Sequence, residues 1–436
     1  MRSCEGFGYR DSVSRHRILR ALCHSPIRRN QNSMNSLFQN LGNSVLARWR
    51  GENFSLQAFP GIAVEELQKS APADHVDLQK FLHEFLLDDS QPSQTESGFG
   101  EPEIIVYENP RFYIQLLFWM DGTTAIHQHE FSGAFHVMSG SSIHAQFAFE
   151  NDSAITPYFR VGDLRMKEIV LLEKGCTVPI VSGRACIHSL FHLDMPSITV
   201  VVRTQHDPGT GPQFNYLPPH VAYDPVFSDS LMLRRRQVLD VLENLQDPVY
   251  VERVLEMIEV LDFERGFHTL QNCMGYLKEL GEWEDVCEAF HKKHGSLAGG
   301  IESTLEECLR RDHIKRMRAT VADPEHRFFL ALLLNVPTRA NLLALVSQRF
   351  SEVSPFDTII RWAGELMEET ECGFAILDAA FPQELEIGFD DQPSFFLAAL
   401  RKFLDADFKL PKAFPQDALQ PIGTALSESS LGLLVH

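Results

Sequence analysis

The spacing of apolar positions changes period twice along the chain. Over residues 35–87, "GIAVEELQKS" and "DHVDLQKFLHEFLL" place apolar side chains three and four apart. That is the period of helices with one buried face, and Asp74 stands where a helix cap is expected. Residues 88–102, "DDSQPSQTESGFGEP", are polar and rich in Ser, Gly and Pro, the composition of a loop. From 103 to about 205 the period shortens to that of strands. "EIIVYENP", "RFYIQLLFWM", "AIHQHE", "GAFHVMSG", "SIHAQFAFE", "KEIVLLEKG" and "SITVVVRT" follow one another between Gly, Asn or Asp turns. Short strands at this density predict a sandwich or barrel. A turn-rich connector, "DPGTGPQFNYLPPHVAYDP", ends the run, and the helical period then returns.

The expected organisation is α+β. A helical N-terminal segment and loop cover 35–102, and an antiparallel β-barrel covers 103–225. A large α-helical domain spans 230–412, with a loosely ordered tail over 413–436. Within the helical part, "LGEWEDVCEAF" has the tight turn of a helical hairpin, but no repeat of the tetratricopeptide period surrounds it. The helices read as an irregular bundle, packed on the barrel or available for a homodimer or a protein partner.

Composition narrows the function classes. A chain of 436 residues exceeds one ordinary core. Its net charge of −20 argues against binding nucleic acid or an anionic membrane through bulk charge. No apolar run reaches the length needed to cross a bilayer. The eight cysteines form no CxxC pair and no disulfide framework, which fits a reducing, cytoplasmic interior. The first 33 residues differ, with seven Arg, no Lys and only Glu5 and Asp11 as acids. An Arg-rich, acid-poor leader has transit-peptide composition. The simpler reading is a disordered basic leader over residues 1–34, or an extension upstream of a start at Met34.

The candidate chemistry sits in "DGTTAIHQHEFSGAFHVMSG", residues 121–140. Residues i and i+2 of a strand share a face, so His127 and His129 aim together at the sheet interior. Two such imidazoles can hold one metal ion if another strand supplies a third ligand. "GCTVPIVSGRACIHSLFHLDMPSITVVVRT" offers His188 and His192. Imidazole nitrogens suit Fe, Zn, Ni or Cu. Three protein ligands leave coordination positions open for substrate, water or dioxygen. A single histidine in a strand is more often structural, and His136 and His144 have that reading. His136 would orient a substrate only if Ala134 faces inward. Tyr216 and His220 in the connector either close the barrel mouth or serve loop packing, Arg184 either meets a substrate carboxylate or is a solvated turn residue, and Cys186 reads as a buried structural thiol.

The run from Gly122 through His127 and His129 to Gly140 resembles the first motif of the cupin superfamily. That motif is a glycine, an HxH pair, a glutamate and a closing glycine. Gly175, Gly183 and His188 resemble the second motif. The resemblance implies a cupin-like barrel (jelly roll) with His127, His129 and His188 as metal ligands, and His192 where the family often has Asn. The glutamate position falls on Gly133 or Ala134. A three-histidine set without glutamate is similar to that of the thiol dioxygenases, such as cysteine dioxygenase, and of certain diketone-cleaving dioxygenases. It therefore implies a mononuclear Fe(II) dioxygenase taking a small chelating substrate and dioxygen, with Zn, Ni, Mn or Cu as the other metals. Two further classes stay open. One is a non-oxidative cupin isomerase, lyase or hydrolase; the other is a ligand-sensing cupin whose helices bind a partner protein.

Overall fold

The computed structural model describes residues 34–435 apart from 96–98, 121, 123–124, 228, 371–372, 374–379, 382–386 and 389. The basic leader lies outside the described residues. The chain opens with four helices, α1 (Met34–Gly51), α2 (Phe59–Ser70), α3 (Pro72–His75) and α4 (Leu78–Phe85). Asp77 rather than Asp74 caps α4, its carboxylate accepting from the Lys80 amide at 3.0 Å. Pro72 starts a separate single turn and places Asp74 inside it, which moves the cap three residues on.

Eleven strands follow: β1 (Glu103–Glu108), β2 (Phe112–Trp119), β3 (Ile126–His129), β4 (Gly133–Ser139), β5 (Ser142–Thr156), β6 (Phe159–Leu172), β7 (Thr177–Ile180), β8 (Gly183–His192), β9 (Ser197–Thr204), β10 (Asn215–Leu217) and β11 (Val221–Tyr223). They form a five-stranded sheet, β1-β2-β9-β4-β7, and a closed ring, β10-β11-β6-β5-β8-β3. Every pairing is antiparallel. The fold is a cupin-like antiparallel barrel followed by a large helical part.

Strand alternation assigns the faces of the five-stranded sheet. Ile114, Leu116, Val200 and Val202 pack outward against Phe38, Trp49 and Phe59 of the N-terminal helices. Leu117, Phe135, Val137 and Val201 face inward and meet Leu172 and Leu190 of the ring. The helical part packs against the ring through two cores.

Among the described residues that part has the α-helices α5 (Ser230–Asn244), α6 (Tyr250–Val260), α7 (Phe263–Leu280), α8 (Trp283–His294), α9 (Ile301–Thr320), α10 (Pro324–Asn335), α11 (Arg339–Arg349), α12 (Pro355–Glu369), α13 (Gln392–Leu404) and α14 (Leu419–Glu428). Phe159 and Val221 of the ring share a core with Leu239, Val254 and Phe267. Ile143 and Phe191 share another with Ile314 and Phe328. Of the tail over 413–436, expected to be loosely ordered, the described residues 413–435 are built into that second core instead. Ile422, Leu426, Leu431 and Leu434 are all buried there. The interspersed Gly, Ser and Pro disguise the helical spacing, and Pro421 falls in the first turn of α14, where its missing donor costs no hydrogen bond.

Candidate metal centre

β3 is only four residues long and runs between β8 and β10. Its alternation sends Ile126 and Gln128 into the ring, where Gln128 Oε1 accepts from the Tyr216 hydroxyl at 2.6 Å. His127 and His129 take the opposite face, toward the five-stranded sheet. Across the ladder His127 pairs with His188, but His129 pairs with Gly183. Two residue steps on β3 therefore face five on β8, a bulge with Arg184 and Ala185 exposed at its crest. Gly183 opens it at φ +71°, a conformation that costs glycine nothing. The bulge absorbs the extra residues between Gly183 and His188 and returns His188 to the face shared by His127 and His129.

The three imidazoles converge. Each offers a ring nitrogen within 4.8 Å of the other two, and all three residues are buried. His127 Nδ1 donates to the Ala125 carbonyl at 2.8 Å, which fixes the tautomer and leaves a lone pair on Nε2. That Nε2 is buried and has no partner. The Nε2 atoms of His129 and His188 lie 2.8 Å apart. His188 Nδ1 lies 3.0 Å from His144 Nε2, so a second imidazole orients the first. Burial pushes the pKa of His127 below its ordinary value. Burial and then the neighbouring imidazoles hold His129 and His188 well below theirs. All three are neutral at pH 7, the form that binds a cation.

This donor set fits a metal ion. His129 and His188 can share one proton, yet His127 Nε2 still has nothing to accept from, and an orphaned buried acceptor is costly. A cation takes all three lone pairs at once. Three nitrogens with no oxygen suit a first-row transition metal rather than calcium or magnesium.

The absence of a carboxylate has a steric origin. A Cβ built on Gly133 would stand 2.0 Å from the Val202 carbonyl oxygen, so no side chain fits there. Ala134 points outward into the core beneath the N-terminal helices. Glu130 turns to the surface, 3.6 Å from His206.

The other candidates lie elsewhere. His192 shares a face with His188, but Leu190 separates them. Its ring stacks on Trp119 at 4.6 Å and its Nδ1 lies 3.0 Å from Ser142 Oγ. His136 needed Ala134 to face inward. Phe135 and Val137 do so instead, and His136 points outward, its Nδ1 2.7 Å from Thr177 Oγ1. Both faces of this sheet are buried, so its sequence carries no polar alternation to mark the inner one. Tyr216 faces the interior of the ring, away from the imidazoles. His220 bonds the Gly162 carbonyl at 2.9 Å beside the β5–β6 hairpin and does not close a mouth. Arg184 is taken by Asp152 at 2.7 Å. Cys186 is partly buried, and burial pushes its thiol up.

Sequence reasoning gave His144 a structural reading and passed over Gln115 and Arg203. The imidazoles open on a cavity of about 40 Å³, room for roughly three waters. Leu117, Trp119, Phe131, Phe135 and Val201 supply much of its apolar wall, and Gln115 and Thr199 face in from the opposite sheet. A wider vestibule of about 270 Å³ shares His129 and Phe131 with this cavity and adds Tyr113 and Arg203. The Arg203 guanidinium lies 3.4 Å from the centre of the Phe131 ring. A lone Gln inside "FYIQLLFW" and an Arg ending "SITVVVR" were the available signals.

No family model matches the chain, and no curated protein matches it. Solved structures do. A hydroquinone 1,2-dioxygenase from Sphingomonas sp. TTNP3 is 11% identical over 24% of this chain and 67% of that one, with a TM-score of 0.19. A cupin-2 domain protein from Shewanella frigidimarina is 15% identical over 29% of this chain and 92% of its own, with a TM-score of 0.18. A structure of DMSP lyases is 16% identical over 41% of this chain and 96% of that chain, at 0.21. The cupin-like fold is read from the strand order and the facing sheets, and the chemistry of the centre from its own side chains.

Proposed function

We propose that this chain is a mononuclear metal-dependent oxidoreductase, an Fe(II) dioxygenase acting on a small chelating substrate of thiol or diketone type. His127, His129 and His188 would hold the metal. The observation that carries the reading is the orphaned Nε2 of His127, buried beside two other neutral imidazoles. When bound, Fe(II) supplies open coordination positions and the electrons that activate dioxygen. The chain's own residues do the rest. The Ala125 carbonyl and His144 fix the orientation of two of the imidazoles. Leu117, Phe135 and Val201 exclude water, which strengthens every polar interaction inside the cavity.

Charge at the metal favours an anionic ligand. Three neutral ligands leave the full double charge of a divalent ion uncompensated at the metal, while Arg203 and Glu103 bring opposite charges to the vestibule. A site of this sign recruits an anionic chelator, such as a thiolate or an enolate. The test is elemental analysis of protein purified without oxygen, followed by oxygen uptake over a panel of small thiols and diketones. Stoichiometric iron in the wild type, lost in His127→Ala and retained in His136→Ala, is the expected result. Equal metal in all three proteins removes the centre. Turnover of a substrate without oxygen consumption would instead favour an isomerase, lyase or hydrolase.

A further inference from the structure

Gln115 is the one polar side chain in the middle of β2. It is 1% exposed and faces the cavity from the sheet opposite the imidazoles. Its Oε1 atom is buried and accepts no hydrogen bond. Its neighbours on the inner face are Tyr113 and Leu117 along the strand and Val201 across the ladder, and none of them donates to that oxygen. An unpaired amide oxygen destabilises the fold that contains it. A structural glutamine would use that oxygen; this one leaves it unpaired on a side chain that lines the space before the three histidines.

We infer that Gln115 is a specificity-determining residue: its amide oxygen accepts a hydrogen bond from an O–H or N–H of the molecule bound at the metal. The inference rests on the metal-centre reading above and narrows the substrate class. The ligand would carry an anionic chelating group at one end and a hydrogen-bond donor within a few atoms of it. A site built to pair with a donor discriminates against the analogue that lacks one, because the glutamine is then left buried and unpaired.

The test uses the full chain loaded with Co(II), whose thiolate charge-transfer absorption reports binding without turnover. Mercaptoethanol and mercaptopropanol are titrated against ethanethiol and propanethiol, which lack the hydroxyl. The wild type is expected to prefer the hydroxyl-bearing thiols about tenfold, the worth of one hydrogen bond. Gln115→Met, similar in shape but without the acceptor, should erase that preference at unchanged cobalt content. The metal-free Gln115→Met protein should also melt no lower than the wild type, since it has lost an unpaired polar atom and little volume. A lower melting temperature, or failure to fold, makes Gln115 structural and overturns the inference. Stoichiometric cobalt with the same thiol ratio in both proteins overturns the role of Gln115 alone. A wild type that takes up no cobalt and shows no charge-transfer band removes the metal centre itself.

Discussion

Two histidines that share the inner face of β8 with β5 show how one residue type serves different ends. His144 touches His188 but none of the other converging nitrogens, so it positions a ligand without being one. Substituting His144→Ala should weaken metal binding 10- to 100-fold, the usual effect of losing such a partner. Competition with a chelator measures this, and an unchanged affinity would detach His144 from the centre. His192 is buried between Trp119 and Ser142, and burial pushes its pKa from 6.5 down to about 3. Its stabilising contribution is complete above pH 6.5. It declines as pH falls toward 3, because there the unfolded chain binds a proton that the folded chain refuses. Between pH 7 and 5 this costs about 2 kcal/mol. Denaturation of the metal-free protein at both pH values should show His192→Asn less acid-sensitive than the wild type by about that amount, with metal uptake retained. Equal acid sensitivity would mean that His192 is protonated or exposed in the fold.

At the scale of elements, the composition of the centre follows from how closely two strands approach. β4 and β9 are paired from Gly133 to Ser139, and at Gly133 the Val202 carbonyl occupies the space that a Cβ would need. A methyl group there must push the ladder apart. Gly133→Ala should therefore destabilise the protein by about 3 kcal/mol, at the upper end for overpacking. Chemical denaturation gives the value, and a change below about 0.5 kcal/mol would mean that the strands part easily. The same geometry explains a boundary that was hard to read. His136 and Phe135 are adjacent in a run buried on both faces, so hydrophobicity could not say which one looks inward. Packing decided it, because the N-terminal helices cover one face with Ala134, Met138 and their neighbours.

Across the whole molecule, the helical part and the barrel are joined by shared cores rather than by a linker alone. Phe191 belongs to the ring and is buried among α9 and α10, with the Arg318 guanidinium 4.9 Å from its ring centre. Arg349, at the end of α11, donates to Ser141 Oγ at 2.9 Å, beside the strand that carries His144. The barrel and helices should unfold together in one transition. Phe191→Ala should lower stability by about 3–5 kcal/mol through the cavity it leaves. Calorimetry would count against this packing if it resolved two transitions in the wild type and an unshifted helical one in the variant.

The sequence by itself determined the local periods and the chemical inventory. Short β-rich runs between turns over 103–205 announced strands, and the spacing of His127 and His129 announced a shared face, because side-chain direction in a strand depends only on position parity. Tertiary structure decided what parity cannot. A bulge opened by Gly183 chose His188 over His192, and the backbone carbonyl of Val202, 69 residues along the chain, kept the Gly133 position empty. Helices on one face and the ring on the other turned Gln115 toward the cavity and His136 away from it. Each of these depends on which segments meet, and non-local packing is set by the whole chain rather than by any stretch of it.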